Sequence, residues 1–142
     1  MSTSTATILG AHTALELSPQ ASGRARRWAR STLRAWSYPA LDGAKSRYPA
    51  MDDIELVISE LVTNAVTHAC GPIRARLDRL SSGAVRVCVD DGGSVAAPHH
   101  TDPAEHGRGL PIMAALSTHH GQTRMPAPYR ARWWATLTPQ PH

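Results

Sequence analysis

Glu60, Asn64 and His68 stand at i, i+4 and i+8 in the run Glu60-Leu61-Val62-Thr63-Asn64-Ala65-Val66-Thr67-His68-Ala69. Four residues advance an α-helix by about 400°, so each step drifts only about 40° and the three side chains share one face. A carboxylate, an amide and an imidazole stacked in this way can accept a proton, ligate a hard cation or a phosphate, and add a further polar contact. The same spacing also describes an ordinary solvated helix face, and the helix alone does not choose between them. Two later groups bear on the choice. Asp91 ends a valine-rich strand just before Gly92-Gly93, and the strand's alternation points it to the core side, where a lone carboxylate is costly. It either caps its own turn, as Asp before Gly often does, or waits for a donor such as the exocyclic amine of a purine, with Gly93 leaving room for a planar base against the backbone. Gly107-Arg108-Gly109 leads directly into the apolar run Leu110-Pro111-Ile112-Met113. Free N–H groups at that helix start, beside a backbone without side chains, suit a polyphosphate, although glycine also serves as a plain loop residue.

The elements that must position these groups follow from periodicity. Ile54, Val57, Ile58, Leu61, Val62, Ala65, Val66 and Ala69 recur at helical spacing, which predicts a helix from near Asp52, capped by Asp52 or Asp53 and ended by Gly71-Pro72. An earlier helix is predicted from about Gln20 to Trp36, with Ser18 as cap, Pro19 at its first position, and Ala25, Trp28, Ala29, Thr32, Leu33 and Trp36 as its buried stripe. Strands are predicted at Ala14–Leu17, Ile73–Leu80, Val85 to Asp91, Ser117–Gly121 and Tyr129–Leu137, with Ser81-Ser82-Gly83 as a hairpin turn. Ser37–Ala50 and Ser94–Glu105 read as loops, the second able to lie over a site as a lid. His99 and His100 fall in that loop, and adjacent loop side chains rarely chelate one ion together.

Composition bounds the class. The 142 residues make one domain with a core from about residue 15 to 137; 42% are hydrophobic and 18% charged, which suits a globular chain. Met1-Ser2-Thr3-Ser4-Thr5 lacks the basic and apolar regions of a secretory leader. No stretch approaches the roughly 20 apolar residues of a membrane span. A cytoplasmic protein without membrane contacts is therefore expected, with Cys70 and Cys88 reduced. The net charge is +4. Most arginines are spread out; Arg24, Arg26, Arg27, Arg30 and Arg34 read as the exposed side of the first helix. With 5% aromatics and no stacking pattern, nucleic acid is not the expected partner; an acidic protein or a polyphosphate accounts for the field as well.

Three signals thus stand in order: Glu-x-x-x-Asn on a helix, Asp-x-Gly at a strand end, and Gly-x-Gly opening a helix. This order resembles the GHKL, or histidine-kinase-like, ATPase superfamily of Bergerat fold. Glu60-Leu61-Val62-Thr63-Asn64 with His68-Ala69 resembles its N box, Asp91-Gly92-Gly93 its G1 box, and Gly107-Arg108-Gly109-Leu110 its G2 box. The short length and the first-helix pattern are similar to stand-alone ATP-binding proteins of actinobacteria and to anti-sigma-factor serine kinases of the RsbW and SpoIIAB type. The resemblance implies an α/β fold, a two-layer sandwich with a mixed, mostly antiparallel sheet and three helices on one face. It implies ATP and Mg²⁺ as ligands. Glu60 would orient or deprotonate the attacking hydroxyl, Asn64 would ligate Mg²⁺, and His68 would lie near the nucleotide. Asp91 would accept from the adenine amine, Gly93 would lie under the base, and Gly107, Arg108, Gly109 and Leu110 would form the phosphate-side lid. Asp90 is one residue from the adenine contact; strand parity and the Asp-x-Gly spacing favour Asp91. The implied activity is phosphorylation of a serine or threonine on an anti-anti-sigma (STAS-type) partner by a homodimeric kinase; the alternative is a non-catalytic, nucleotide-responsive module that sequesters a sigma factor or another regulator.

Overall fold

Alternation along the strands and a 3.6-residue period along the helices sort the side chains onto two faces of one sheet. The computed structural model describes residues 6–39, 48–93 and 115–138. In chain order the elements are β1 (Thr7–Leu15), α1 (Ala21–Ala35), α2 (Met51–His68), β2 (Ile73–Leu80), β3 (Val85–Asp91), β4 (His119–Arg124) and β5 (Ala131–Leu137). The strands lie in the order β1-β2-β3-β5-β4. Every described pair is antiparallel, where a mixed sheet was expected. Between β1 and β2 the chain runs out along one helix and back along another, which leaves these two neighbours antiparallel. Of the third helix expected after Gly109, Ala115 and Leu116 are helical and the rest lies outside the described residues.

The helices cover the face that carries Ile73, Ala75 and Leu77 of β2, Val85, Val87 and Val89 of β3, and Ala135 and Leu137 of β5, all buried. From α2, Ile54, Val57, Ile58, Leu61, Val62 and Ala65 complete this core as the periodicity predicts. Each such side chain contributes about 1.5–3 kcal/mol when fully withdrawn from water. From α1 the buried residues are Ala21, Ala25, Ala29 and Leu33. That stripe is narrower than expected: Trp28 and Trp36 are only partly buried and pack against its margin. Small alanines let α1 sit close to α2, and the large rings are displaced to the sides.

Element ends differ from the sequence expectation. β1 begins seven residues before the expected Ala14, because β2 supplies a full-length partner down to Thr7↔Leu80. Ser18 does not cap α1 through its side chain; its carbonyl accepts from the Ala21 N–H at 3.1 Å, and Gln20 holds the N-cap position. Ala50 holds that position for α2, leaving Asp52 and Asp53 in the first turn, where they complement the helix dipole. The Tyr38 hydroxyl donates to the Pro49 carbonyl, tying the end of α1 to the start of α2, and Arg79 stacks over Tyr38 and Tyr48. Both cysteines are free thiols, and burial pushes Cys88 up to about 11, so it is a poor nucleophile.

The opposite face of the sheet is polar. Asp90 of β3 lies between Arg74 of β2 and Arg132 of β5, its direct neighbours in register, and is fully buried by them. Arg76 and Asp78 form a second pair on this face at 2.9 Å. Gly10 of β1 leaves it room, since a Cβ there would come within 2.7 Å of the Asp78 carboxylate.

Candidate functional site

The last turn of α2 and the turn after β3 are joined backbone to backbone. The Cys70 N–H donates to the Gly93 carbonyl at 2.9 Å, and the Gly92 N–H donates to the Cys70 carbonyl at 2.9 Å. A Cβ on Gly92 would lie 2.3 Å from that Cys70 oxygen, a distance no side chain tolerates. Gly93 has φ +89°, a conformation that favours glycine. Glycine at both positions therefore lets the chain just after α2 be fastened to the end of β3. Asn64 lies four residues before the helix end at His68, about 6 Å along the axis.

Asp91 is 3% exposed and shares the helix-covered face with Val85, Val87 and Val89. Its Oδ1 accepts from the Gly93 N–H at 2.8 Å, and the neighbouring Trp133 indole acts against the rise in its pKa. Its neighbour Asp90 is in a different situation. Four hydrogen bonds of 2.7 to 3.1 Å from Arg74 and Arg132 neutralise it on the far face. Asp91 is thus a buried carboxylate supported by a neutral donor, with acceptor capacity left over. Desolvation raises its pKa above the ordinary carboxylate value, opposed by the Gly93 hydrogen bond and reinforced by the Asp90 charge.

That shift has a stability consequence. In the window between the ordinary carboxylate pKa and the raised one, the folded chain holds more protons than the unfolded chain, so stability falls as pH rises. The contribution is fully present below the unfolded pKa and lost as pH climbs through the folded one. Asp91→Asn is expected to flatten this part of the ligand-free stability curve, read as melting temperature from pH 3.5 to 7; an unchanged slope would assign it to other groups.

Glu60 and Asn64 are half-buried and His68 is exposed. None of the three hydrogen-bonds through its side chain to another described residue, so the face is uncommitted, as either a site or a solvated surface requires. The hydroxyls between them turn back onto the helix, Thr63 to the Ser59 carbonyl and Thr67 to the Thr63 carbonyl, both at 2.8 Å. Gly107, Arg108, Gly109 and Leu110 lie outside the described residues, as does the Ser94–Glu105 loop. Among the described residues no group of three or more His, Cys, Asp or Glu is placed to hold a metal ion.

Three supporting features escape sequence reading. Trp133 looks like a core residue of β5, yet register sets it opposite Val89, two pairs along from Asp91 and on the same face. Cys70 carries no motif signal; its backbone makes both bonds to the turn, and its thiol donates to the Gly93 carbonyl at 3.2 Å. Glu55 reads as a polar position early in α2, but it is 3% exposed and pairs with Arg30 of α1 at 3.0 Å. For Glu55, the signal available was its place inside an apolar stretch, between Ile54 and Val57.

A family model described as a histidine kinase-like ATPase domain matches residues 15–127. The matched span includes Glu60, Asn64 and Asp91 as well as the Gly107–Leu110 stretch. No curated protein matches the chain.

Proposed function

The chain belongs to the histidine kinase-like ATPase family, and from that premise we propose that it binds ATP with Mg²⁺ between α2 and the end of β3 and transfers the γ-phosphoryl group to a serine or threonine of an anti-anti-sigma-type protein. The observation that carries this reading is Asp91: a buried carboxylate with no charged donor among the described residues, at a strand end tied to the chain just after the helix that bears Glu60 and Asn64. Its free lone pairs take the adenine amine, and Gly93 lies under the base. The Asn64 amide oxygen, unengaged by described residues, would be the protein ligand for Mg²⁺, which when bound would supply positive charge to neutralise and orient the phosphates. Glu60, one turn before Asn64 on the same face, orients or deprotonates the partner's hydroxyl, which attacks the γ-phosphorus as ADP leaves. His68 lies a further turn along, on the nucleotide side, and the Gly107–Leu110 motif is the family's phosphate-side element. The charges of the site do the work by position, without a covalent enzyme intermediate.

Calorimetric ATP titrations with and without Mg²⁺, followed by a phosphotransfer assay on a STAS-type protein encoded beside this gene, test the proposal. Asn64→Ala is expected to lose the affinity gained from Mg²⁺. Glu60→Ala is expected to keep ATP binding and lose at least a hundredfold in transfer rate. Tight ATP binding by wild type without transfer to that partner would overturn the kinase assignment and leave a nucleotide-responsive module.

A further inference from the structure

The net charge of α1 exceeds that of the whole chain. This helix, Ala21–Ala35, contains Arg24, Arg26, Arg27, Arg30 and Arg34 and no acidic residue. It thus carries +5 in a chain whose net charge is +4, and the remainder is −1. At 100° per residue the five arginines fall within an arc of about 160°, on the side away from the Ala21, Ala25, Ala29 and Leu33 stripe. All five are exposed.

Two of them answer to α2. Arg30 pairs with Glu55 at 3.0 Å and approaches Asp52 at 4.0 Å, and Arg26 donates to the neutral Ser59 hydroxyl at 3.1 Å. Arg24, Arg27 and Arg34 have no acidic partner among the described residues. Helix stability alone disfavours this layout. Arg26 and Arg30, and Arg30 and Arg34, are like charges at i, i+4, and Arg24 stands in a first turn that holds no acid, against the helix dipole. Of Arg24, Arg27 and Arg34, only Arg34, in the last turn, is favoured by the dipole.

We propose that Arg24, Arg27 and Arg34 form a docking ridge for an acidic protein surface, specifically a partner helix with glutamates or aspartates along one face. From Arg24 to Arg34 the ridge is about 15 Å long, a match for three turns of such a helix. Guanidinium forks engage carboxylates two bonds at a time. A membrane is the poorer fit, because the apolar residues of α1 are turned into the core and Trp28 and Trp36 pack against it, which leaves no apolar face to insert. Duplex DNA is also the poorer fit, because the charges outside α1 sum to −1 over the chain, which offers no net positive field to further phosphates. This surface is separate from the nucleotide site, so it stands or falls independently of the kinase reading.

The test uses the full chain and a fluorescent 20-residue alanine-based helical peptide with glutamates at i, i+3, i+7 and i+10, read by anisotropy at physiological salt. The variant Arg24→Glu/Arg27→Glu/Arg34→Glu is expected to bind the peptide at least tenfold more weakly than wild type, and Arg27→Glu alone about threefold. Arg124→Glu, the same change of charge on β4, is expected to stay within twofold. All three should bind ATP as wild type does. A triple variant within twofold of wild type would overturn the ridge, and so would Arg124→Glu weakening the peptide as much as Arg27→Glu. Tighter wild-type binding to a random 20-base-pair duplex or to phosphatidylglycerol vesicles would overturn the assignment of a protein partner. Should the triple variant fail to fold, Arg27→Glu carries the same comparison.

Discussion

Asp91→Asn is expected to lower ATP affinity about a hundredfold while the ligand-free protein melts at or above the wild-type temperature at neutral pH. The two halves follow from the same environment. Asparagine keeps an oxygen that can accept from the Gly93 N–H, now held at 2.8 Å, so the turn survives. Its NH₂ group, however, presents a donor where the adenine amine also presents a donor. A charge-assisted hydrogen bond worth roughly 1.5–3 kcal/mol is exchanged for a clash of like dipoles, and a hundredfold corresponds to about 2.7 kcal/mol. The stability half has the opposite sign. Burial holds the Asp91 pKa above its ordinary value, so the ionised side chain at neutral pH is a net cost to the fold, and the amide removes that cost. Calorimetry and thermal melts on one variant read both. Wild-type affinity in Asp91→Asn would mean that adenine rests elsewhere.

How much of this was legible in the sequence depends on what each feature requires. β2 and β3 were readable to within a residue, because alternation of apolar and polar residues needs only local chemistry. The body of α2 was readable for the same reason at a different period. The start of β1 was not, since nothing in Thr7 to Thr13 marks a strand until β2 is placed beside it. Nor was the burial of α1: a stripe that includes tryptophans is the reasonable expectation, but helix-to-helix spacing favoured the alanines. The order of Glu60, Asn64 and Asp91 was legible as a motif. The role of Gly92 was not, because it depends on Cys70, 22 residues away, coming close enough that only a hydrogen fits. The adjacent aspartates make the same point. Parity assigns them to opposite faces, but only the sheet order reveals that Asp90 is flanked by two arginines from two different strands.

Asp90→Ala is therefore expected to behave as the mirror image of Asp91→Asn: a large loss of stability with ATP affinity retained. Asp90 is fully buried, with Arg74 at 2.8 Å and Arg132 at 2.7 Å, side chains only 28% and 27% exposed. Removing the carboxylate leaves two guanidinium groups facing each other across β3. Breaking a buried pair in this way costs about 3–5 kcal/mol, and the partial exposure of both arginines favours the lower end. A domain of this size would melt about 10 °C earlier. Most of that cost is the orphaned charge, not the worth of the pair, so replacing all three residues with apolar ones, Arg74→Met, Asp90→Leu and Arg132→Met, should recover most of the loss. The carboxylate points away from α2, so ATP affinity measured below the lowered melting temperature should stay within about threefold, roughly 0.7 kcal/mol. If Asp90→Ala instead abolished nucleotide binding in a folded protein, the two aspartates would have exchanged roles, and the adenine contact would have to be sought on the other face of the sheet.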